Sequence, residues 1–517
     1  MQNLQNIFRK SRAWVINNKL EAILLILVIL TGAFMRLYKI DQYMTFLGDE
    51  GRDVIIVRRL LVNFDPILIG PGTSVGNMYL GPIYYYMIAP FLLLFNFSPV
   101  GPSVFIALLG IITIYFVWYV SRKWFGNIAA LVSALLYSVS PVVIYFARSS
   151  WNPNIMPFFS LLTIYSMWKV WNEKKWKWLV VTGISLSIVL QSHYLGLLLI
   201  PVLFIYWILS IKKINLDAPT KREAFRYSSI AIGLFVLLMS PLLLFDARHG
   251  WRNITSLKDF MGMGSGNLQF NVLDNFVPLF VNANTRLIAG GSQTVGRIVF
   301  VLFVFSLIAL ISYWKKLSKK VRSALVIILT WVFFGILGLS IYNQPIYDHY
   351  FGFLFAALFI YFGGVCQILY QEKKLLGSIF ILVFMTLLLA ENISNNAFRH
   401  PPNRQMDNTI SITRKIVEES KGEKFNLAVI AERNYEGAYQ YFLEAWNAPF
   451  IIIDPQRYEE TAADQLFVVC EYEEVDKCQP TSNPKPEVAN FGWSKIEMKW
   501  EVGGVLLFKL VPNPPGS

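Results

Sequence analysis

An α-helical polytopic membrane protein with a small extracytoplasmic α/β domain at its carboxyl end is the fold class this sequence predicts. Three observations carry it. Of 517 residues, 55% are hydrophobic and only 15% charged, whereas soluble domains carry about a quarter charged residues. The apolar residues collect in long runs, with Lys and Arg in the short loops between them. At Asn392 the pattern changes abruptly and charges become frequent. The net charge of +13 does not point to nucleic acid, because its placement is that of a topology signal and an attraction to anionic lipid.

The first apolar run, Leu20–Tyr38, follows the basic segment Met1–Lys19 without a small-residue cleavage site, so it reads as a retained helix. Further runs follow at Pro82–Phe97, Pro102–Val120, Ile128–Phe146, Ile155–Trp171, Leu179–Leu190, Tyr194–Ser210, Tyr227–Phe245, Ile298–Trp314, Ser323–Tyr342, Phe351–Tyr370 and Leu376–Ala390. Basic clusters at Arg9/Lys10/Arg12, Arg122/Lys123, Lys174/Lys175/Lys177, Lys212/Lys213, Lys315/Lys316/Lys319/Lys320 and Lys373/Lys374 can all be cytoplasmic only if one run before Arg122 fails to cross. Pro82–Phe97 is short, and prolines flank it, so it is expected to be a re-entrant or interfacial helix. Eleven spans remain, in a plasma-membrane protein with its amino end in the cytoplasm and its tail outside. That parity places Asp49, Arg148, His193, the loop 246–296 and Asp348–Tyr350 on one outer face. No solenoid-type repeat is present.

Residues 1–391 form the expected transmembrane catalytic domain, with an outer loop at 39–101, and residues 392–517 the extracytoplasmic domain. In the latter, Met406–Ser420 and Tyr435–Trp446 read as helices, and Leu427–Ala431, Leu466–Glu471, Ile496–Glu501 and Val505–Leu510 as strands, the last two joined by Gly503-Gly504. Cys470 and Cys478 could form a disulfide in an oxidising compartment or remain two thiols. Their spacing alone does not decide.

The stretch richest in chemistry is Leu47-Gly48-Asp49-Glu50-Gly51-Arg52-Asp53, just beyond the first span. Charge at a membrane edge is costly unless it serves binding or catalysis, although a solvated acidic loop has the same composition. Behind it come Gly76-Asn77-Met78-Tyr79-Leu80-Gly81-Pro82-Ile83-Tyr84-Tyr85-Tyr86 and Ser140-Pro141-Val142-Val143-Ile144-Tyr145-Phe146-Ala147-Arg148. Together these resemble the GT-C superfamily of integral-membrane glycosyltransferases, in the branch of protein O-mannosyltransferases and the lipid A aminoarabinose transferase, over about Ala22 to Ala390. The resemblance implies a polyprenyl-phosphate sugar donor and a glycan, lipid or protein hydroxyl acceptor. It assigns Asp49 as general base, a role worth roughly a hundred- to ten-thousand-fold, with Glu50 orienting it or binding acceptor. Arg52, Asp53 and Tyr84 become substrate-binding candidates. Arg148 matches the family's basic position near the leaving phosphate, where a fixed cation favours the transition state. An interfacial arginine snorkelling to headgroups is the alternative.

His193 interrupts an apolar run and could contact phosphate or sugar, or be merely hydrogen-bonded. Arg248 and His249 open the large outer loop and could close over donor. His349 and Tyr350, beside Asp348, could stack on a sugar. Two departures from the family stand out. Asn152 or Asn154 occupies the second outer loop where relatives often carry a carboxylate, and Leu80-Gly81 precedes Pro82 where they tend to have a basic residue. No cofactor is expected to be obligatory, though the Asp49/Glu50/Asp53 cluster could hold a divalent cation. Gly262, Gly264 and Gly266 lack the lysine and helix of a nucleotide loop and read as a mobile part of the outer loop. Two other classes fit the composition, a lipid or polysaccharide flippase and a membrane-anchored envelope-assembly protein. A coupled transporter would bury ionisable groups near mid-membrane, and here the runs' interiors are nearly free of charge.

Overall fold

The computed structural model describes residues 9, 12–73, 78–212, 218–262, 272–472 and 474–513; Lys10, Gly76, Asn77, Lys213, Gly264 and Gly266 of the stretches above lie outside them. The amino-terminal part is a helical assembly. It comprises α1 (Lys19–Leu37), α2 (Gly48–Asn63), α3 (Ile83–Leu94), α4 (Val100–Trp124), α5 (Asn127–Val139), α6 (Met156–Glu173), α7 (Trp178–Ser192), α8 (Leu199–Lys212), α9 (Ala218–Arg248), α10 (Val272–Leu287), α11 (Gln293–Tyr313), α12 (Lys319–Ser340), α13 (Phe355–Glu372) and α14 (Lys374–Ser394). Among the described residues, eight helices are long and apolar enough to cross a membrane. With α5, α6 and α7 they correspond to the eleven predicted spans. The remaining run became α3, which has 12 residues; at 1.5 Å per residue that is about 18 Å, short of the ~30 Å hydrocarbon core.

Two local outcomes differ from the sequence expectation. The run Ile128–Phe146 is not one helix. It breaks at Ser140, which is extended (φ −62°, ψ 121°), and restarts as Pro141–Phe146. Pro141 has no N–H to give and disfavours helical backbone in the residue before it. The predicted loop 246–296 is also largely helical, containing Arg252–Met261 and α10. Polar residues such as Asp274, Asn282, Asn284 and Arg286 hide α10 from an apolar-run reading. Its buried Leu279, Phe280, Ala283 and Leu287 nonetheless recur at helical spacing, and Phe280 packs edge-to-face on Phe303 at 4.7 Å.

The carboxyl domain contains α15 (Gln405–Glu419), β1 (Asn426–Ile430), α16 (Gly437–Ala445), β2 (Leu466–Cys470), β3 (Ser494–Val502) and β4 (Val505–Pro512), with sheet order β1-β2-β4-β3. β1 and β2 pair in parallel, while β4 runs antiparallel to both its neighbours. Every residue of β1 and β2 is buried, so both the edge strand β1 and the central strand β2 are covered on their two faces. Cys470 and Cys478 form a disulfide.

This domain is not a loosely tethered tail. α16 crosses α2 so closely that a Cβ on Gly51 would stand 2.2 Å from the Ala438 nitrogen, and one on Gly437 2.3 Å from the Gly48 carbonyl oxygen. Phe46 packs on Phe442, and Arg59 Nη2 pairs with Glu444 Oε2 at 2.7 Å. One apolar cluster thereby includes Phe46, Val54 and Val57 of the segment between α1 and α3 together with Ala438, Tyr441 and Phe442.

Candidate active site

The first turn of α2 sorts the predicted charges by their surroundings. Helical spacing puts Asp49, Arg52 and Asp53 on neighbouring faces. Arg52 Nη1 donates to Asp49 Oδ1 at 2.8 Å, while its Nε and Nη2 both donate to Asp53 Oδ1, at 3.0 and 2.8 Å. Asp53 is fully buried and also accepts from the Tyr85 hydroxyl at 3.1 Å. Burial lifts its carboxyl to about 6 against the pull of Arg52. Glu50 is buried too, with Oε2 accepting the Leu47 N–H at 3.0 Å. Burial raises it to about 7, opposed by that N–H and reinforced by Asp49. Asp49 differs from both, because its side chain is 41% exposed.

Asp49 opens into a cavity of about 160 Å³ lined by Thr45, Glu50, Tyr145, Ser149, Trp151, Asn154, Arg433 and Tyr435, among others. The Tyr435 hydroxyl donates to Asp49 Oδ1 at 2.8 Å. A second cavity, of about 420 Å³, is lined by Arg52, Arg59, Ile67, Tyr79 and Tyr85. Arg52 thus stands between the two spaces, bonded to the carboxylate of one and lining the wall of the other.

Residues 80–245 match the family model for dolichyl-phosphate-mannose-protein mannosyltransferase. The whole fold matches ArnT from Cupriavidus metallidurans, solved bound to undecaprenyl phosphate, with a TM-score of 0.57 and 14% identity over 94% of this chain and 97% of ArnT. The same enzyme in its apo state matches over 97% of this chain and 98% of its own, again with a TM-score of 0.57 and 14% identity. The chain has a GT-C-like fold. A third GT-C match is the oligosaccharyltransferase of Archaeoglobus fulgidus in complex with zinc and sulfate, with a TM-score of 0.50 and 14% identity over 86% of this chain and 67% of that one. No curated protein matches the sequence significantly. Helix α2 lies ahead of the family match.

Within this GT-C-like fold the other predicted residues lie in several different surroundings. Asn154 reaches the Asp49 cavity, with its Nδ2 donating to the Ser149 carbonyl at 2.7 Å. Asn152 and Tyr84 sit behind it in the protein. Asn152 Nδ2 donates to the Ser192 carbonyl, and the Tyr84 hydroxyl shares a hydrogen bond with Ser150 Oγ, each at 2.7 Å. Arg148 is buried and does not line the cavity. Its guanidinium donates to the carbonyls of Met35, Tyr38 and Lys39 and lies over the rings of Tyr43 and Phe398. There it closes the open end of α1, satisfying carbonyls that a helix terminus leaves unpaired. It is neither at the lipid surface nor against the cavity.

His193, His349 and Tyr350 come together, with His349 4.5 Å from Tyr350 and 5.9 Å from His193 between ring centroids. Trp151 packs on His349 at 4.6 Å and joins this cluster to the Asp49 cavity. Burial pulls the His193 imidazole down to about 4, so it is neutral near pH 7, and its Nδ1 accepts the Leu195 N–H. Arg248, the last residue of α9, and His249 after it are exposed and do not line the Asp49 cavity. His249 stacks on Phe245, which contacts Tyr79 of the Arg52 cavity. Asp348 is paired with Arg286. Among the described residues, no group of three or more His, Cys, Asp or Glu side chains is arranged to hold a metal ion. Sequence reasoning missed Arg433 and Tyr435. Nothing in Arg433-Asn434-Tyr435-Glu436-Gly437 marks a site, apart from the glycine that permits close approach.

Proposed function

We propose that this GT-C-like protein transfers a sugar from a polyprenyl-phosphate donor to a hydroxyl of a glycan, lipid or protein acceptor at the outer membrane face, with inversion at the anomeric carbon. Asp49 takes the proton of the acceptor hydroxyl as that oxygen bonds to the anomeric carbon. The bond from that carbon to the phosphate oxygen breaks, and its electron pair leaves with the phosphate. The observation that carries this reading is the difference among the three carboxylates of α2. Only Asp49 combines an open face, a cavity and a fixed orientation.

Arg52 is suited to meet the leaving phosphate from the second cavity, since its Nη1, released from Asp49, can donate to an oxyanion. Glu50 shapes the acceptor side by holding the backbone ahead of α2. The Cys470–Cys478 disulfide supports an extracytoplasmic tail, because such bonds persist in oxidising compartments. With the tail outside, Asp49 and α16 share the outer face.

The test is transfer from a radiolabelled polyprenyl-phosphate sugar by purified protein in lipid, with donor binding measured separately. Asp49→Asn keeps shape and most hydrogen bonding but removes the base. Turnover should fall by roughly a hundred- to ten-thousand-fold with donor affinity nearly unchanged. Near-normal turnover by Asp49→Asn would refute the assignment. Cysteine labelling from outside should reach the tail and the loop near Asp49 but not the loop at Lys174; the opposite pattern would invert the topology.

A further inference from the structure

We infer that the carboxyl domain contributes a working part of the catalytic site, with Tyr435 as the positioning residue that holds Asp49 in its productive orientation. This rests on the proposed role of Asp49 as base and adds to it a residue 386 positions away. Tyr435 is fixed at both ends. Its hydroxyl donates to Asp49 Oδ1 at 2.8 Å, the same oxygen that accepts from Arg52. Its backbone N–H donates to Asn434 Oδ1 at 2.8 Å, and that oxygen also accepts the Gly48 N–H at 2.8 Å.

The Asn434 carboxamide is itself oriented, since its Nδ2 donates to Glu471 Oε1 at 2.7 Å, and Glu471 also accepts from the Tyr439 hydroxyl at 2.8 Å. Glu471 directly follows Cys470, the last residue of β2. A continuous path of directed bonds therefore runs from the sheet through Glu471 and Asn434 to the backbone of Gly48 and the side chain of Asp49. The Gly51/Gly437 crossing sets the distance over which these bonds form, and the Tyr435 ring lies where a Cβ on Gly48 would be, 2.4 Å from Cδ1.

The chemical consequence follows from what Asp49 lacks without this contact. Its side chain is 41% exposed and, apart from Tyr435, the hydrogen bond recorded to it comes from Arg52. If Arg52 turns to a phosphate, Tyr435 is the group that still fixes the carboxylate. A base misplaced by about an ångström loses much of its effect. Burial, together with Asp49 and against the opposing pull of Arg52, keeps the phenol proton well above its usual range, so Tyr435 stays a donor throughout.

The experiment compares the full-length wild type with Tyr435→Phe, which retains the ring packed on Gly48 and removes only the donor. The transfer assay in lipid gives kcat and the donor KM across pH, and thermal unfolding reports the fold. Turnover should fall about tenfold to a hundredfold with donor KM within about twofold. The acid limb of the kcat profile should move to higher pH, since a carboxylate that loses a donated hydrogen bond takes up a proton more readily. In the Asp49→Asn background the same substitution should change little further, because the two act through one group. Wild-type kcat and an unshifted profile in Tyr435→Phe, with turnover of Asp49→Asn lowered by the expected factor, would overturn the inference and leave the base assignment standing. Should Tyr435→Phe lower the melting temperature and turnover together, an unshifted acid limb or a full additional loss on top of Asp49→Asn would equally overturn it. Near-normal turnover in Asp49→Asn would instead overturn the functional reading beneath.

Discussion

Asp49 and Arg148 occupy comparable places in the sequence, each a charge just past an apolar run, yet they lie in opposite environments. Asp49 is partly solvated, lines a cavity and has its partners on one oxygen. Arg148 is buried, donates to three backbone carbonyls and is flanked by two aromatic rings. The comparison teaches that a charge at a membrane edge is not functional by position. What separates the two is whether the group is turned to the protein's own backbone or to open space. A carboxylate facing a cavity can still exchange a proton with a substrate, whereas a guanidinium closing a helix end cannot leave it without exposing unpaired carbonyls.

The sharpest way to break this contrast is to exchange the phenotypes. Asp49→Asn should lose turnover by two to four orders of magnitude and melt like the wild type. Arg148→Gln should show the reverse. Withdrawing the fork leaves carbonyls of Met35, Tyr38 and Lys39 without their donor, at roughly 1–3 kcal/mol for a buried unsatisfied group. The melting temperature in detergent should therefore drop clearly, and the surviving folded fraction should bind donor normally. An Arg148→Gln protein that melts like the wild type but has lost donor affinity would place Arg148 at the phosphate after all.

A smaller effect sharpens the comparison within α2. Glu50 is raised from its ordinary range to about 7 by burial, so the folded state favours its protonated form. The corresponding stability is fully present below the unfolded value near 4.5 and is lost as pH rises through about 7. A shift of that size corresponds to on the order of 3 kcal/mol. Glu50→Gln lacks this loss, so its melting temperature should gain on the wild type steadily between pH 5 and 7.5. Its turnover should suffer less than that of Asp49→Asn. A gain independent of pH would show that Glu50 does not titrate in this window.

Much of the fold was legible because bilayer burial writes itself into composition. Runs of apolar residues, basic loops and the change at Asn392 located most of the helices and the tail, and short runs of β-branched and aromatic residues bounded by turns located the four strands. α10 escaped because its buried stripe is interleaved with Asp, Asn and Arg, so period, not mean hydropathy, carried the signal. The break at Ser140-Pro141 was signalled by the proline but masked by the continuous apolar run. At the site, Asp49, Glu50, Arg52 and Asp53 were legible as a local cluster, whereas their division into one open and two buried carboxylates was not.

The sequence by itself determined that this chain is a polytopic membrane protein, where its apolar helices and its strands lie, and which short stretch concentrates charge. These are local properties, set by hydrophobicity, period and turn residues over tens of positions. Tertiary structure alone decided that Arg148 serves a helix end, that His193, His349 and Tyr350 meet beside Trp151, and that Tyr435 reaches Asp49. The physical reason is that each of these depends on a contact between segments far apart in the chain. The Gly51/Gly437 crossing that permits the last of them is a match of two small surfaces, which neither segment reveals alone.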